Sequence, residues 1–125
     1  MNNLTEQIIG AAIDVHKELG PGLLENTYER CLIHELLLRD IKAERQKKQP
    51  IVYKGLEIDE GYRIDILVED EIILELKVVE ELNNVHMAQL LTYLKLSGCR
   101  LGYLINFNTE VLKNGLRRVV NNFPE

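Results

Sequence analysis

The chain has 125 residues, the size of one ordinary domain, so we predict a single domain over residues 1–125. Hydrophobic residues make up 46% and charged residues 28%, which excludes a chain disordered by composition. The net charge of −5 argues against binding nucleic acid through bulk positive potential, so any phosphate contact should be local. With no long apolar run and no apolar leader, we expect a cytoplasmic protein without membrane contact.

Two helices are predicted in the first third of the chain. Apolar residues recur at helical spacing from about residue 4 to residue 19, and Gly20-Pro21-Gly22 ends this pattern. A second helix is predicted from about residue 24 to residue 39, with apolar side chains on one stripe and charged side chains opposite.

Strand patterns follow the helices. Short β-type pieces are predicted between residues 42 and 58, with Lys54-Gly55 as the turn of a hairpin between Ile51 and Ile58. Two clearer strands are predicted from Tyr62 to Val68 and from Ile72 to Val79.

A third helix, capped by Asn84, is predicted to run to about Leu96, and a strand follows from Leu101 to Phe107. Residues 109–122 are ambiguous between helix and strand because Gly115 interrupts a helical pattern. The order of elements predicts an α/β fold in which helices flank a mixed sheet.

The two clear strands are predicted to form a hairpin centred on Asp70, so that Val68 faces Ile72. Because side chains alternate between the two faces of a strand, one face of this hairpin is expected to be entirely aliphatic. That face would contain Ile64, Ile66, Val68, Ile72, Leu74 and Leu76.

The other face of the predicted hairpin carries charged residues among hydrophobic ones. Asp65 is expected opposite Glu75, and Arg63 opposite Lys77. Directly opposed side chains have Cβ atoms ~5 Å apart, where like charges are destabilising, so the two carboxylates need a cation. Lys77, Arg63 or a hard divalent metal ion would supply it, and these choices are not exclusive.

The plain alternative is a salt-bridged patch of these four residues on a solvent-facing surface. The strand from Ile72 to Val79 is apolar on both faces, as a central strand is, which argues against that alternative. Charges in a central strand cost folding free energy and indicate a functional role.

Three motifs resemble those of known nucleases. Residues 22–28 fit GxxExxY, with Glu25 and Tyr28, and resemble the small bacterial and archaeal proteins named for that motif. Asp65 followed by Glu75-Leu76-Lys77 resembles the D…(D/E)xK signature of the PD-(D/E)xK nuclease superfamily. Gln89 and Tyr93 are similar to the QxxxY motif of RecB-like nucleases.

This resemblance implies a restriction-endonuclease-like core of order α-α-β-β-β-α-β. It also implies that Asp65 and Glu75 bind Mg²⁺ or Mn²⁺, assisted by the backbone carbonyl of Leu76 and by Glu25, directly or through water. Lys77 would orient or help deprotonate the attacking water. Support for Lys77 or contact with substrate is expected from Gln89, Tyr93 and Arg63.

We therefore expect a metal-dependent nuclease that hydrolyses phosphodiester bonds of nucleic acid, with DNA as the expected substrate. A homodimer would give so small a chain a second surface that contacts a duplex. The alternative is a non-catalytic module that binds nucleic acid or a protein partner on a nuclease-derived fold, which the acidic charge and small size favour. A third alternative is a structural dimerising protein with a salt-bridged sheet.

Overall fold

The computed structural model describes residues 2–121 of the chain. Within these residues, none of the helices has the length and apolarity needed to cross a membrane. The helices are α1 (Asn2–Leu19), α2 (Glu25–Leu38) and α3 (Asn84–Ser97), with a single 3₁₀ turn at Leu112–Gly115. The strands are β1 (Ala43–Lys48), β2 (Ile51–Tyr53), β3 (Leu56–Ile58), β4 (Arg63–Val68), β5 (Ile72–Lys77), β6 (Leu101–Asn106) and β7 (Leu116–Val120).

Five strands form one mixed sheet in the order β1-β4-β5-β6-β7, and β2 pairs with β3 in a separate hairpin. Strands β5 and β6 are parallel and are connected by α3, whereas the other neighbouring strands are antiparallel. The predicted α/β fold, a mixed sheet flanked by helices, is confirmed. The predicted pairs Val68–Ile72 and Ile66–Leu74 are present between β4 and β5.

Hydrophobic side chains pack on both faces of the sheet. The first cluster joins α1 and α2 to one face and includes Ile8, Tyr28, Leu36, Ile66, Leu74 and Phe107. The second cluster joins α3 to the other face and includes Ile64, Leu67, Ile73, Leu90, Leu94 and Leu104. As expected for a central strand, β5 contributes Leu74 to the first cluster and Ile73 to the second.

The predicted all-aliphatic face of the hairpin is wrong at Ile64, which packs in the second cluster whereas Ile66 packs in the first. The reason lies in the neighbouring strand. The β1–β4 ladder pairs residues on either side of Gln46 and Asp65 but not these two, and Gln46 has a φ of 56°. The regular alternation of β4 is therefore interrupted at Asp65.

The structure corrects one predicted helix boundary and assigns the segment that was ambiguous between helix and strand. The cap of α3 is Asn83 rather than Asn84, because the Asn83 side chain accepts a hydrogen bond from the N–H of His86. The ambiguous segment ends as β7, with residue 122 lying outside the described residues. A Cβ at Gly115 would collide with the carbonyl oxygen of Asn106, so only glycine fits at the entrance to β7.

Candidate functional site

The open end of the β4–β5 ladder brings Asp65 and Glu75 together. The ladder ends at the pair Ile66–Leu74, before the predicted pair of carboxylates. Beyond it, the N–H of Asp65 donates to Oε2 of Glu75 at 3.0 Å, and the N–H of Leu76 donates to Oδ2 of Asp65 at 2.9 Å. Each carboxylate therefore accepts a hydrogen bond from the main chain of the other strand.

Both carboxyl groups are shielded from water. Glu75 is 5% exposed, and Asp65 is half-buried. Burial, followed by the charge of Asp65, raises the pKa of Glu75 to about 8. Burial also raises the pKa of Asp65 to about 6, although the hydrogen bond from Leu76 acts to lower it. The pair therefore retains a proton near neutral pH unless a cation compensates its charge.

These raised pKa values predict how the stability of the metal-free protein depends on pH. A carboxyl group with a higher pKa in the folded chain stabilises the fold below its unfolded pKa, and this contribution is lost as pH rises through the folded value. For Glu75 that window runs from 4.5 to about 8. The expected loss in unfolding free energy is on the order of a few kcal/mol, since one pKa unit corresponds to about 1.4 kcal/mol.

Thermal unfolding in EDTA, followed from pH 5 to pH 9, measures this effect by comparison with Glu75→Gln. The variant should become more stable than the wild type by several degrees as pH rises, because its amide never ionises. Glu71→Gln, the same change at an exposed residue in the β4–β5 turn, should follow the wild type. Parallel curves for the wild type and Glu75→Gln would contradict the prediction.

Lys77 brings positive charge to the carboxylates without forming an ion pair. It lies two residues after Glu75 in β5, is half-buried, and partly offsets the effect of burial on the pKa of Asp65 and Glu75. Among residues 2–121, neither Lys77 nor Arg63 is within ion-pair distance of a carboxylate, and Nη1 of Arg63 donates instead to the carbonyl of Tyr62. The alternative of a salt-bridged patch is therefore not the arrangement found in this part of the chain.

Glu25 lies near the pair without joining it. It occupies the first turn of α2 and is exposed, although partial desolvation raises its pKa while Lys77 acts to lower it. In the described part of the chain, no three Asp, Glu, His or Cys side chains converge closely enough to hold a metal ion. The structure thus brings together two of the three predicted acidic ligands.

Tyr28 fixes the loop that precedes α2, the helix that begins with Glu25. Its hydroxyl donates to the carbonyl of Gly20 at 2.5 Å and accepts from the N–H of Leu23 at 3.1 Å. Its ring stacks on Phe107, with centroids 4.5 Å apart. The loop between α1 and α2 is thereby tied to the core, which sets the position of the first turn of α2.

Helix α3 places Tyr93 beside the carboxylate pair. Tyr93 is 6% exposed, and burial, followed by the charges of Glu75 and Asp65, raises the pKa of its phenol. Gln89, one turn earlier and exposed, interacts with the phenol and acts to lower that pKa. The two residues therefore lie on the same side of the site.

Sequence reasoning missed Glu29, which lies one turn after Glu25. Glu29 is 3% exposed and forms an ion pair with Arg45, and its charge, after burial, is among the causes that raise the pKa of Asp65. The sequence did contain a signal of this burial. Glu29 lies three residues before Leu32, which belongs to the apolar stripe of α2, and residues three apart share one side of a helix.

Asn106 was missed as well, although a polar residue at the end of the apolar pattern of β6 was a signal. Its side chain accepts from the N–H of Val79 at 3.1 Å and donates to the carbonyl of Val79 at 2.8 Å. The N–H of Phe107 donates to the carbonyl of Lys77 at 3.0 Å. These contacts hold the chain against β6 directly after Lys77.

Comparison with known families gives a match over almost the whole chain. A family model described as the PD-(D/E)XK nuclease superfamily matches residues 2–119, and this range includes every residue of the site described above. No curated protein and no solved structure gives a significant match.

Proposed function

The chain belongs to the PD-(D/E)XK nuclease superfamily, and we propose that it is a metal-dependent nuclease that hydrolyses phosphodiester bonds of DNA. Its mixed sheet flanked by helices is consistent with the restriction-endonuclease-like fold of that superfamily. One observation carries the proposal, namely the convergence of the carboxylates of Asp65 and Glu75 near Lys77, whose ammonium group forms no ion pair within residues 2–121.

The carboxylate pair fits a hard divalent cation. Each carboxylate uses one oxygen to accept a main-chain N–H, whereas Oδ1 of Asp65 and Oε1 of Glu75 accept no hydrogen bond from residues 2–121. Mg²⁺ and Mn²⁺ prefer oxygen ligands and would offset the repulsion between two buried acids. Asp65 and Glu75 would hold the ion, with the Leu76 carbonyl assisting and Glu25 contributing directly or through water.

The bound metal ion would supply activation of a water molecule and stabilisation of charge on the phosphate. Lys77 would orient the attacking water and offset negative charge on the scissile phosphate. Because the carboxylates are shielded from solvent, charges in this site act with less screening than in water. Gln89 and Tyr93 would support this arrangement from α3, and Arg63 would contact a phosphate of the substrate.

The direct test combines a cleavage assay with isothermal titration calorimetry. The wild type should cleave DNA with Mg²⁺ or Mn²⁺ but not with EDTA, and it should bind at least one of these metals. Asp65→Asn should lose metal binding, because a neutral amide cannot balance the charge of the ion. Asp70→Asn is the matched control, since Asp70 is exposed in the β4–β5 turn and its φ of 58° suits asparagine.

A non-catalytic binding module is the second candidate. Two observations favour it: no preformed three-ligand metal group exists in residues 2–121, and the β2–β3 hairpin exposes Val52, Tyr53 and Leu56. No heat with either metal, together with retained binding of nucleic acid or a protein, would favour this candidate over the nuclease.

The finer parts of the proposal follow from the motifs and the size of the chain. We propose membership of the GxxExxY group with a RecB-like QxxxY motif, a single domain, and a cytoplasmic location. A homodimer would provide a second surface that contacts a DNA duplex. Parallel assays on duplex DNA, single-stranded DNA and RNA would define the substrate class.

A further inference from the structure

We propose that Glu29, Arg45 and Gln46, here called the Glu29 clamp, are positioning residues that orient Asp65. The clamp joins α2 to β1 at the strand that neighbours Asp65. This inference rests on the proposed nuclease function, because it assigns how the chain holds one carboxylate of that site in place.

The carboxylate of Glu29 is almost fully buried, and the side chains that donate hydrogen bonds to it within residues 2–121 both belong to β1. Its Oε1 accepts from Nε of Arg45 at 2.9 Å and lies 2.7 Å from Nη2 in the same ion pair, and its Oε2 accepts from Nε2 of Gln46 at 2.8 Å. A buried carboxylate is unfavourable unless it is paired and hydrogen-bonded. These donors therefore fix where Arg45 and Gln46 lie relative to α2.

Gln46 has a backbone conformation that residues other than glycine rarely adopt. Its φ of 56° costs free energy, and such a conformation persists only where the surroundings enforce it. The β1–β4 ladder pairs Arg45 with Ile66 and Lys47 with Ile64 but omits Gln46 and Asp65. The hydrogen bond to Glu29 is the contact that offsets this cost and holds Gln46 out of the ladder.

The omitted pair changes the direction of Asp65. Its neighbours Ile64 and Ile66 pack in clusters on opposite faces of the sheet, so β4 does not alternate regularly at Asp65. In this orientation the carboxylate of Asp65 accepts from the N–H of Leu76 and lies beside Glu75. A regular ladder at Gln46 would restore the alternation of β4 and rotate Asp65 away from this contact.

A purely structural ion pair would not need Gln46. Arg45 and Glu29 alone link α2 to β1, and Nη2 of Arg45 donates further to Asn26 at 2.7 Å. The contact with Gln46 adds an unfavourable backbone conformation directly across from Asp65. Strain of this kind concentrates at functional sites, where it sets the geometry of a neighbouring group.

The test is Gln46→Ala, which removes the side-chain bond to Glu29 and leaves the cost of the positive φ without compensation. In the metal-free protein, NMR should show that the Leu76 N–H exchanges with solvent about tenfold faster, because its acceptor Asp65 is less well held. Affinity for Mn²⁺ and kcat on DNA should each fall about tenfold, with KM for DNA unchanged, as for residues that orient metal ligands.

Lys54→Ala is the matched control. Lys54 also has a positive φ, 47°, but lies in the turn of the β2–β3 hairpin outside the clamp, so Leu76 exchange, kcat and Mn²⁺ affinity should match the wild type.

Unchanged Leu76 exchange in Gln46→Ala would overturn the proposal whatever the activity of the chain. Faster exchange with wild-type kcat and Mn²⁺ affinity would also overturn it, because the clamp would then be structural only. A wild type that neither binds Mn²⁺ nor cleaves DNA would refute the nuclease function instead, and faster exchange in Gln46→Ala would still support the positioning of Asp65 by the clamp.

Discussion

Glu75→Gln is expected to lower kcat for metal-dependent DNA cleavage by about 1000-fold or more. The change removes a proposed metal ligand, which should cost more than the 10–100-fold typical of residues that only orient ligands. The glutamine side chain has nearly the same shape, and its amide oxygen can still accept the hydrogen bond from the N–H of Asp65, so the variant should fold. Single-turnover cleavage at saturating Mn²⁺ measures the effect directly.

Glu75→Gln should be more stable than the wild type in EDTA at high pH even though it is inactive. Stability and activity are expected to change in opposite directions because the buried charge that destabilises the metal-free fold is also the charge that holds the metal ion. Glu71→Gln should retain wild-type cleavage. A rate within a few-fold of the wild type for Glu75→Gln would remove Glu75 from the catalytic site.

Lys77→Ala is expected to lower kcat by about 100- to 1000-fold while metal binding is retained. Losing one group that stabilises transition-state charge typically has an effect of about this size. The fold should survive, since Lys77 forms no ion pair within residues 2–121 that the substitution would break. Cleavage rates and calorimetry with Mn²⁺ on the same sample separate the two effects.

The pH dependence of DNA cleavage provides a second test of Lys77→Ala. The charge of Lys77 acts to lower the pKa of Asp65 and Glu75 against the larger effect of burial. Its removal should therefore shift the acidic limb of the residual activity to higher pH. Lys95→Ala, an exposed lysine of α3, should leave both rate and profile unchanged. Wild-type cleavage by Lys77→Ala would refute its proposed role.

Local patterns in the sequence predicted most of the secondary structure. The helices predicted over 4–19 and 24–39 correspond to α1 and α2, and the predicted pair Val68–Ile72 is present. These features depend on residues close in the chain, whose periodicity reports which face is buried. The spacing of Asp65 and Glu75 also predicted that the two would lie close together, although their catalytic roles remain predictions.

The shape of the site depends on contacts between distant segments. The interruption of β4 at Asp65 depends on the backbone of Gln46, and the backbone of Gln46 depends on Glu29 in another element. No pattern within β4 alone reveals this, so the face of Ile64 was predicted wrongly. Asn106 likewise acts on the chain after Lys77 from across the sheet.

The sequence by itself determined the succession of two helices, a group of strands, a third helix and a further strand, the central position of β5, and the presence of two acids and a lysine on adjacent strands. Tertiary structure alone decided that the ladder opens at these acids, that burial raises the pKa of both, and that Glu29 is sealed beside them. The physical reason is that periodicity arises from neighbouring residues, whereas desolvation and hydrogen-bond partners arise only when remote segments pack together.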